Sequence, residues 1–334
     1  MIRVKIDSFK VESYYQKINT NRGKYKSVFS KIETLESSTM ENDHLRILAA
    51  IKDNLKKIIT GTPPELQDFI KEFENKNYDK FIYDKTTRKL TAFGKELKSI
   101  FNYKAFRRSK KAIWFGEILN CRSCTSCNTQ FTLITSQKNG DKLLFHLDHY
   151  FPQSVYPYLS LSFYNLIPCC SSCNMSKSNK PFSLDSHIHP YLDGLHKIAK
   201  FKVNKTSLAK FLIDPEKNEQ AIEFKLNIRN QFVGDIEFEK KLLNYKKEFR
   251  IDEQYKQFKD VVAEMHLKSK FYNSKRRREL IEFFKKNSSV NLTDELINRF
   301  ILGNYSNDED LLKRPLAKFT KDIGEDIKLL QDRH

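Results

Sequence analysis

The sequence lacks any apolar run long enough to cross a membrane, and no apolar leader stands at its start. No stretch approaches the roughly 18 consecutive apolar residues of a transmembrane helix. Residues 1–7 read Met-Ile-Arg-Val-Lys-Ile-Asp, in which charged residues interrupt the apolar ones, so a secretory signal is not expected. Internal repeats and long low-complexity linkers are also missing. These absences argue against membrane-spanning, secreted and repeat proteins and favour a cytoplasmic one.

Cysteine is absent outside one short region. All six cysteines lie between Cys121 and Cys173. The disulfides of a secreted protein would be spread along the chain, so this clustering indicates metal binding in a reducing compartment. Four of the six form two Cys-x-x-Cys pairs, which are Cys124 with Cys127 and Cys170 with Cys173. We call each pair a knuckle, the first and the second in chain order.

Two such pairs supply the four thiolates of a tetrahedral Zn²⁺ site that leaves no position for water. A structural zinc is therefore predicted. Cys121 and Cys124 form an alternative pair with the same spacing. Asn128 favours the pair Cys124 and Cys127, because asparagine suits the left-handed turn that follows a knuckle. Cys169 would then be a small buried residue.

Acidic residues are in deficit. The chain has 60 Lys and Arg against 42 Asp and Glu, a formal net charge of +18. This surplus favours an anionic partner, nucleic acid or an anionic membrane surface. Lysine-rich chains also arise from genomes of biased composition, and the low glycine count of nine fits that explanation equally well. Charge alone therefore does not decide the partner.

The pattern of apolar residues predicts an α+β fold that is mostly helical. Residues 1–118 carry stripes at helical spacing, including one over 41–60 and one that starts at Pro63. Residues 119–190 change in texture, with candidate strands over 131–135 and 142–146 and a turn at Asn139. Residues 191–334 return to helical spacing, and the last helix starts at Pro315. We expect a small α/β centre between two helical regions.

The central region carries a second set of polar residues between the cysteine pairs. Asp148-His149 is followed by Pro152 and Ser154, then by Asn165-Leu166-Ile167-Pro168, and the second knuckle continues into Asn174 and Lys177. This order resembles the HNH endonuclease superfamily over about 60 residues. The resemblance implies a ββα-metal core braced by the structural zinc and an activity that hydrolyses phosphodiester bonds in DNA.

The chemistry of these residue types fits the resemblance. Phosphodiester hydrolysis needs an activated water and a cation that offsets the developing charge. His149 is the candidate general base because histidine titrates nearest neutral pH. The oxygens of Asp148 and Asn174 suit Mg²⁺ or Mn²⁺. Many relatives carry histidine where Asn174 stands, and an oxygen donor there favours Mg²⁺ or Mn²⁺ over zinc.

Other residues receive roles from the resemblance and from their charge. Asn165 matches the middle family residue, which orients the histidine. Lys177 and Lys180 are candidate contacts for the nucleic-acid backbone. Arg107 and the basic run 275–278 are further candidates, although the run could equally be a solvated helix face. His146, His187 and His189 are weaker candidates for the site.

The flanks resemble, more loosely, the nuclease subunits of anti-phage defence systems paired with an ATPase, such as Septu. This implies an ATPase partner, with the last helix as a docking element or as part of the core. The competing hypothesis for the whole chain is a zinc-stabilised module that binds nucleic acid without cutting it.

Overall fold

The computed structural model describes residues 1–21, 23, 25–136, 140–287 and 292–330. These residues fold into two compact units. The N-terminal unit consists of Val4–Cys121 and Thr132–Leu192. The C-terminal unit consists of Met1–Arg3, Arg122–Phe131 and the described part of Asp193–His334. The division into 1–118, 119–190 and 191–334 stays a prediction. Within the described residues, no helix is both long and apolar enough to cross a membrane.

The N-terminal unit is built mainly from helices, as the apolar stripes predict. Its helices before the cysteine region are α1 (Ser8–Ile18), α2 (Val28–Ser38), α3 (Asn42–Asp53), α4 (Leu55–Thr60), α5 (Pro63–Asn75), α6 (Asp79–Ile82), α7 (Ala92–Ile100), α8 (Tyr103–Arg107) and α9 (Lys110–Leu119). A two-residue hairpin of β1 (Tyr83–Asp84) and β2 (Lys89–Leu90) joins α6 to α7.

Local sequence signals explain several of these boundaries. The predicted helix over 41–60 is present but is divided at Asn54. The prediction for α5 is confirmed, because Pro63 opens the helix and Thr62 forms a capping box with Glu65, which satisfies free backbone amides of the first turn. Asp7 caps α1 through the backbone N–H of Phe9.

An aromatic cluster forms part of the core of this unit. The Tyr14 ring lies 5.3 Å from Phe115 and from Phe163 and 6.0 Å from Phe106. The Tyr14 hydroxyl donates a hydrogen bond of 2.9 Å to the carbonyl of Leu161. These contacts fix the helices against the segment 157–165, which carries part of the candidate site.

The central region contains two hairpins. β3 (Ile134–Thr135) pairs antiparallel with β4 (Lys142–Leu143), so the first predicted strand pair exists but is shorter than expected. The predicted turn residue Asn139 lies outside the described residues. β5 (His146–His149) pairs antiparallel with β6 (Leu166–Cys169), and α10 (Ser171–Lys177) follows directly. β5, β6 and α10 form a ββα unit, which agrees with the predicted α+β class.

The C-terminal unit combines helices with one longer hairpin. β7 (Ala199–Val203) follows α11 (Leu195–Ile198) and pairs antiparallel with β8 (Phe224–Ile228). The helices that follow α11 are α12 (Lys205–Ile213), α13 (Pro215–Asn218), α14 (Ile236–Phe249), α15 (Ile251–Tyr255), α16 (Lys259–Phe271), α17 (Ser274–Asn287), α18 (Asp294–Leu302) and α19 (Ala317–Asp326). Sequence analysis did not predict β7 and β8.

The last helix belongs to the core of the C-terminal unit. Phe319 and Ile323 on α19 are fully buried. The buried Lys318 ammonium donates to the carboxylate of Asp322 and to the carbonyl of Ala199. Asp322 also accepts a hydrogen bond from the backbone N–H of Phe201. The apolar stripe after Pro315 is therefore used for internal packing, one of its two predicted uses.

Candidate metal centre and nuclease cleft

The predicted zinc ligands lie together. The sulfur atoms of Cys124, Cys127, Cys170 and Cys173 all lie within 4.8 Å of one another, and all four residues are buried. Four thiolates at this spacing suit tetrahedral Zn²⁺. The cluster confirms the predicted set and supports metal binding. Because the donors are buried and number four, the site suits a structural ion.

The two remaining cysteines lie outside the cluster. The Cys121 thiol donates to the carbonyl of Leu119 at 3.3 Å, and its burial raises its pKa to about 12. Cys169 is also buried, at the end of β6, and burial raises the pKa of its thiol. The alternative pairing of Cys121 with Cys124 is therefore not the one that the chain adopts.

The first knuckle owes its shape to Asn128. This residue has a φ of 58°, the left-handed conformation that its position predicts. Its backbone N–H donates to the carbonyl of Cys124 at 2.8 Å. Its side-chain amide donates to the Ser123 hydroxyl at 2.8 Å and to the Leu311 carbonyl at 2.9 Å. The knuckle is therefore built into the C-terminal unit.

The second knuckle begins α10. Cys170 occupies the N-cap position, and its carbonyl accepts the backbone N–H of Asn174 at 3.0 Å. The helix therefore starts within the cysteine pair and carries Asn174 and Lys177 one turn apart. One short helix thus joins the metal cluster to the candidate nuclease residues.

His149 is the last residue of β5, and its ring has two defined contacts. Its Nε2 lies 3.0 Å from the carbonyl oxygen of Ser160, and its ring meets the ring of Tyr103 edge-on at 4.4 Å between centroids. A carbonyl can only accept, so Nε2 carries the hydrogen and Nδ1 is left with a lone pair. Burial lowers the pKa of His149 to about 4. The ring is consequently neutral at physiological pH, the state that a general base requires.

Asp148 and Lys177 form a buried ion pair. The Lys177 Nζ lies 3.5 Å from an oxygen of Asp148 and donates to the carbonyl of His149 at 2.5 Å. Burial raises the pKa of Asp148 to about 6, although Lys177 opposes this shift. The Lys177 side chain is fully buried. Its ammonium therefore faces Asp148 in the interior, which differs from the predicted contact with a phosphate.

The contacts of Asn165 also differ from the predicted one. Its side-chain amide donates to the carbonyls of Phe151 and Leu159 at 3.0 and 2.9 Å and accepts from the backbone N–H of Phe151 at 2.7 Å. The direct contact to the His149 ring comes from Ser160. Asn165 therefore shapes the loop that presents Ser160. The contact from Ser160 was not predicted, because residue type does not reveal which backbone carbonyl of an irregular loop will meet the histidine.

Asp148, His149 and Asn174 open into one cleft of about 380 Å³. Its other lining residues are Pro152, Gln153, Met175, Ser178 and Asn179. Ser178 has a φ of 50° and a ψ of −134°, a backbone conformation that glycine adopts more readily. Lys180 is exposed just beyond this edge. The structure therefore brings the predicted metal ligands and the predicted base to one concave surface.

The weaker candidates lie elsewhere. His146 is exposed at the start of β5, the His187 ring stacks on Phe182 at 4.0 Å, and His189 is buried 4.2 Å from the ring of Tyr150. Arg107 donates to the carbonyls of Leu143 and Phe145. In the basic run on α17, Arg277 is buried and donates to Asn298 and to the carbonyl of Leu329.

Sequence reasoning did not single out two residues that fix the histidine, Ser160 and Tyr103. Besides its ring contact with His149, the Tyr103 hydroxyl donates to the carbonyl of Leu147 at 2.8 Å. Neither residue lies in the motif, and a backbone carbonyl or a packed ring leaves no signature in a single sequence.

Comparison with known proteins gives one short local likeness. A stretch of 51 residues is 39% identical to Protein ea31 of Escherichia phage lambda. The match covers 14% of this chain and 17% of the phage protein, so the chain spans far less than two thirds of that relative. No family model and no solved structure matches the chain.

Proposed function

We propose that the chain is a metal-dependent endonuclease that hydrolyses phosphodiester bonds in DNA. The observation that carries the proposal is the convergence of Asp148, His149 and Asn174 on one cleft. A neutral histidine with a free Nδ1 lone pair supports the role of His149 as the base that takes a proton from water. The net charge of +18 supports an anionic substrate.

The oxygen donors of the cleft fit a hard cation. Asp148 supplies a carboxylate oxygen and Asn174 an amide oxygen, the donor types that Mg²⁺ and Mn²⁺ prefer. When bound, such an ion offsets the charge that develops on the phosphoryl group. Lys177 already places one positive charge beside Asp148, and it holds the carbonyl of His149 in place. The exposed Lys180 would contact the backbone of the substrate.

The test is the cutting of supercoiled plasmid by the purified chain with Mg²⁺ or Mn²⁺. His149→Ala should lower the rate at least about 100-fold, because loss of a general base typically costs that much. The matched control is His146→Ala, which removes an exposed imidazole from the same strand and should keep the wild-type rate. Equal cutting by His149→Ala and wild type, at equal thermal stability, would refute the assignment.

A second candidate function rests on the burial of the same residues. His149 is 6% exposed and Asp148 is 9% exposed. A site this enclosed also suits a zinc-stabilised module that binds nucleic acid without cutting it. That function predicts binding with a steep dependence on salt and no cleavage with any divalent metal.

The proposal includes a role in anti-phage defence and an ATPase as partner protein. Both rest on the looser resemblance of the flanks. They predict that the isolated chain cuts slowly and that a co-purified ATPase accelerates cutting. The plasmid assay is therefore run with the chain alone and with any co-purified protein, and the His149→Ala comparison applies in both cases.

A further inference from the structure

The C-terminal unit contains a groove that the candidate nuclease site does not use. Its volume is about 650 Å³, which lies in the range of sites for small organic ligands. The groove lies along β8 and is bounded by α15 and the ends of α14 and α16. It is a property of this unit alone.

The floor of the groove is apolar and aromatic. Phe201, Ile222, Leu226 and Tyr255 are almost fully buried there, and Phe224 is half-buried. The Phe201 ring lies 4.5 Å from the ring of Tyr255. Phe224 is the ring of this floor that has exposed area, so a flat aromatic body could stack on it.

The rim of the groove is cationic. Its lining contains more cationic than anionic residues. The cationic ones are Lys225, Lys246, Lys256 and Lys259, and the anionic ones are Glu223 and Asp252. Lys246 pairs with Asp252 at 2.8 Å, and Lys259 donates to the carbonyl of Gln220. Lys225 lies between Phe224 and Leu226 in β8, so its side chain projects from the opposite face of the strand. Lys256 is exposed, and neither it nor Lys259 has a carboxylate partner among the described residues. The ammonium groups of Lys256 and Lys259 are therefore available to an anion.

The groove is linked to the first cysteine knuckle within the same unit. The Tyr255 hydroxyl at its floor donates to the carbonyl of Cys127 at 2.6 Å. The neighbouring Gln254 accepts from the Thr129 hydroxyl at 3.0 Å. A ligand on this floor would therefore rest against the helix that holds the knuckle.

From the aromatic floor and the cationic rim, we infer that the groove binds a nucleotide. The base would lie against Phe224, and the phosphate would pair with Lys256 and Lys259. A free mononucleotide and a nucleotide within a strand share this chemistry. The inference does not depend on cleavage, because the groove lies outside the candidate nuclease cleft.

Binding of a fluorescent single-stranded oligonucleotide to the full chain, without added Mg²⁺, tests the inference by anisotropy. The double variant Lys256→Ala/Lys259→Ala should bind at least about tenfold more weakly at 0.1 M salt, because lost phosphate contacts weaken binding steeply. The control Lys240→Ala/Lys247→Ala removes the same charge from exposed positions outside the groove and should bind within about twofold of wild type. Phe224→Leu should weaken binding about fivefold through lost stacking.

Competition separates the two sources of the nucleotide. Displacement of the oligonucleotide by free AMP or ATP supports a mononucleotide pocket, whereas strand binding that free nucleotides do not displace supports a strand-binding groove. Equal weakening by the two double variants would overturn the inference, and so would displacement by pyrophosphate as effective as that by ATP. If the wild-type chain binds neither the oligonucleotide nor ATP, the inference is overturned as well, whatever the outcome of the plasmid assay.

Discussion

α10 contributes to two different kinds of site. Cys170, at its N-cap, and Cys173 belong to a buried set of four identical soft donors. The next residue, Asn174, lines a cleft with Asp148 and His149, three side chains of different chemistry. Identical donors that surround one point leave no position for a substrate, whereas mixed donors on a concave surface can bind and activate one. The cysteine site is therefore suited to stabilising the fold, and the proposed chemistry would take place at the cleft.

The largest expected effect comes from breaking the cysteine cluster. Cys173→Ser should lose bound zinc and lower the free energy of unfolding by at least about 3 kcal/mol, because metal binding contributes directly to folding. Metal analysis and chemical denaturation measure both. Cys121→Ala is the matched control, since it removes a buried thiol outside the cluster and should retain zinc. Retention of zinc by Cys173→Ser would remove the distinction between the two sites.

A smaller effect is expected from the ion pair beneath the cleft. Lys177→Met leaves the Asp148 carboxylate buried without its counter-charge and should cost about 3 kcal/mol at pH 7. Zinc content should not change, because the cysteines are untouched. Lys180→Met removes a lysine that is exposed and should change stability by less than about 0.5 kcal/mol. Equal stability of the two variants in denaturation experiments would show that Lys177 is not a structural part of the cleft.

The smallest effect concerns the rim of the cleft. Ser178→Gly should raise the free energy of unfolding by about 1 kcal/mol, because glycine adopts the positive φ of this position without strain. The neighbouring Asn179 does not have a positive φ. Asn179→Gly should therefore lower stability by roughly 0.5–1 kcal/mol. Thermal and chemical denaturation check both signs, and a less stable Ser178→Gly protein would contradict the strain at this rim.

Prediction from sequence succeeded where local pattern decides the outcome. The spacing of the cysteines and the left-handed preference of Asn128 led to the four cysteines that the structure brings together. The proline at position 63 located the start of α5. Strand β6 was not predicted. Its residues, Leu166–Cys169, include a proline and were considered only as part of a motif. Pairing with β5 makes this segment a strand, and a single sequence does not show such pairing.

The residue types by themselves determined which chemistry this protein can offer: four thiolates for one soft metal, oxygen donors for a hard cation and an imidazole for a proton. The tertiary structure decided the role that each group takes. It buried Lys177 against Asp148, gave Asn165 to the loop of Phe151 and Leu159, and placed the Ser160 carbonyl on the His149 ring. The physical reason is that burial and hydrogen-bond partners set the charge state and direction of a side chain, and both depend on residues far away in the chain.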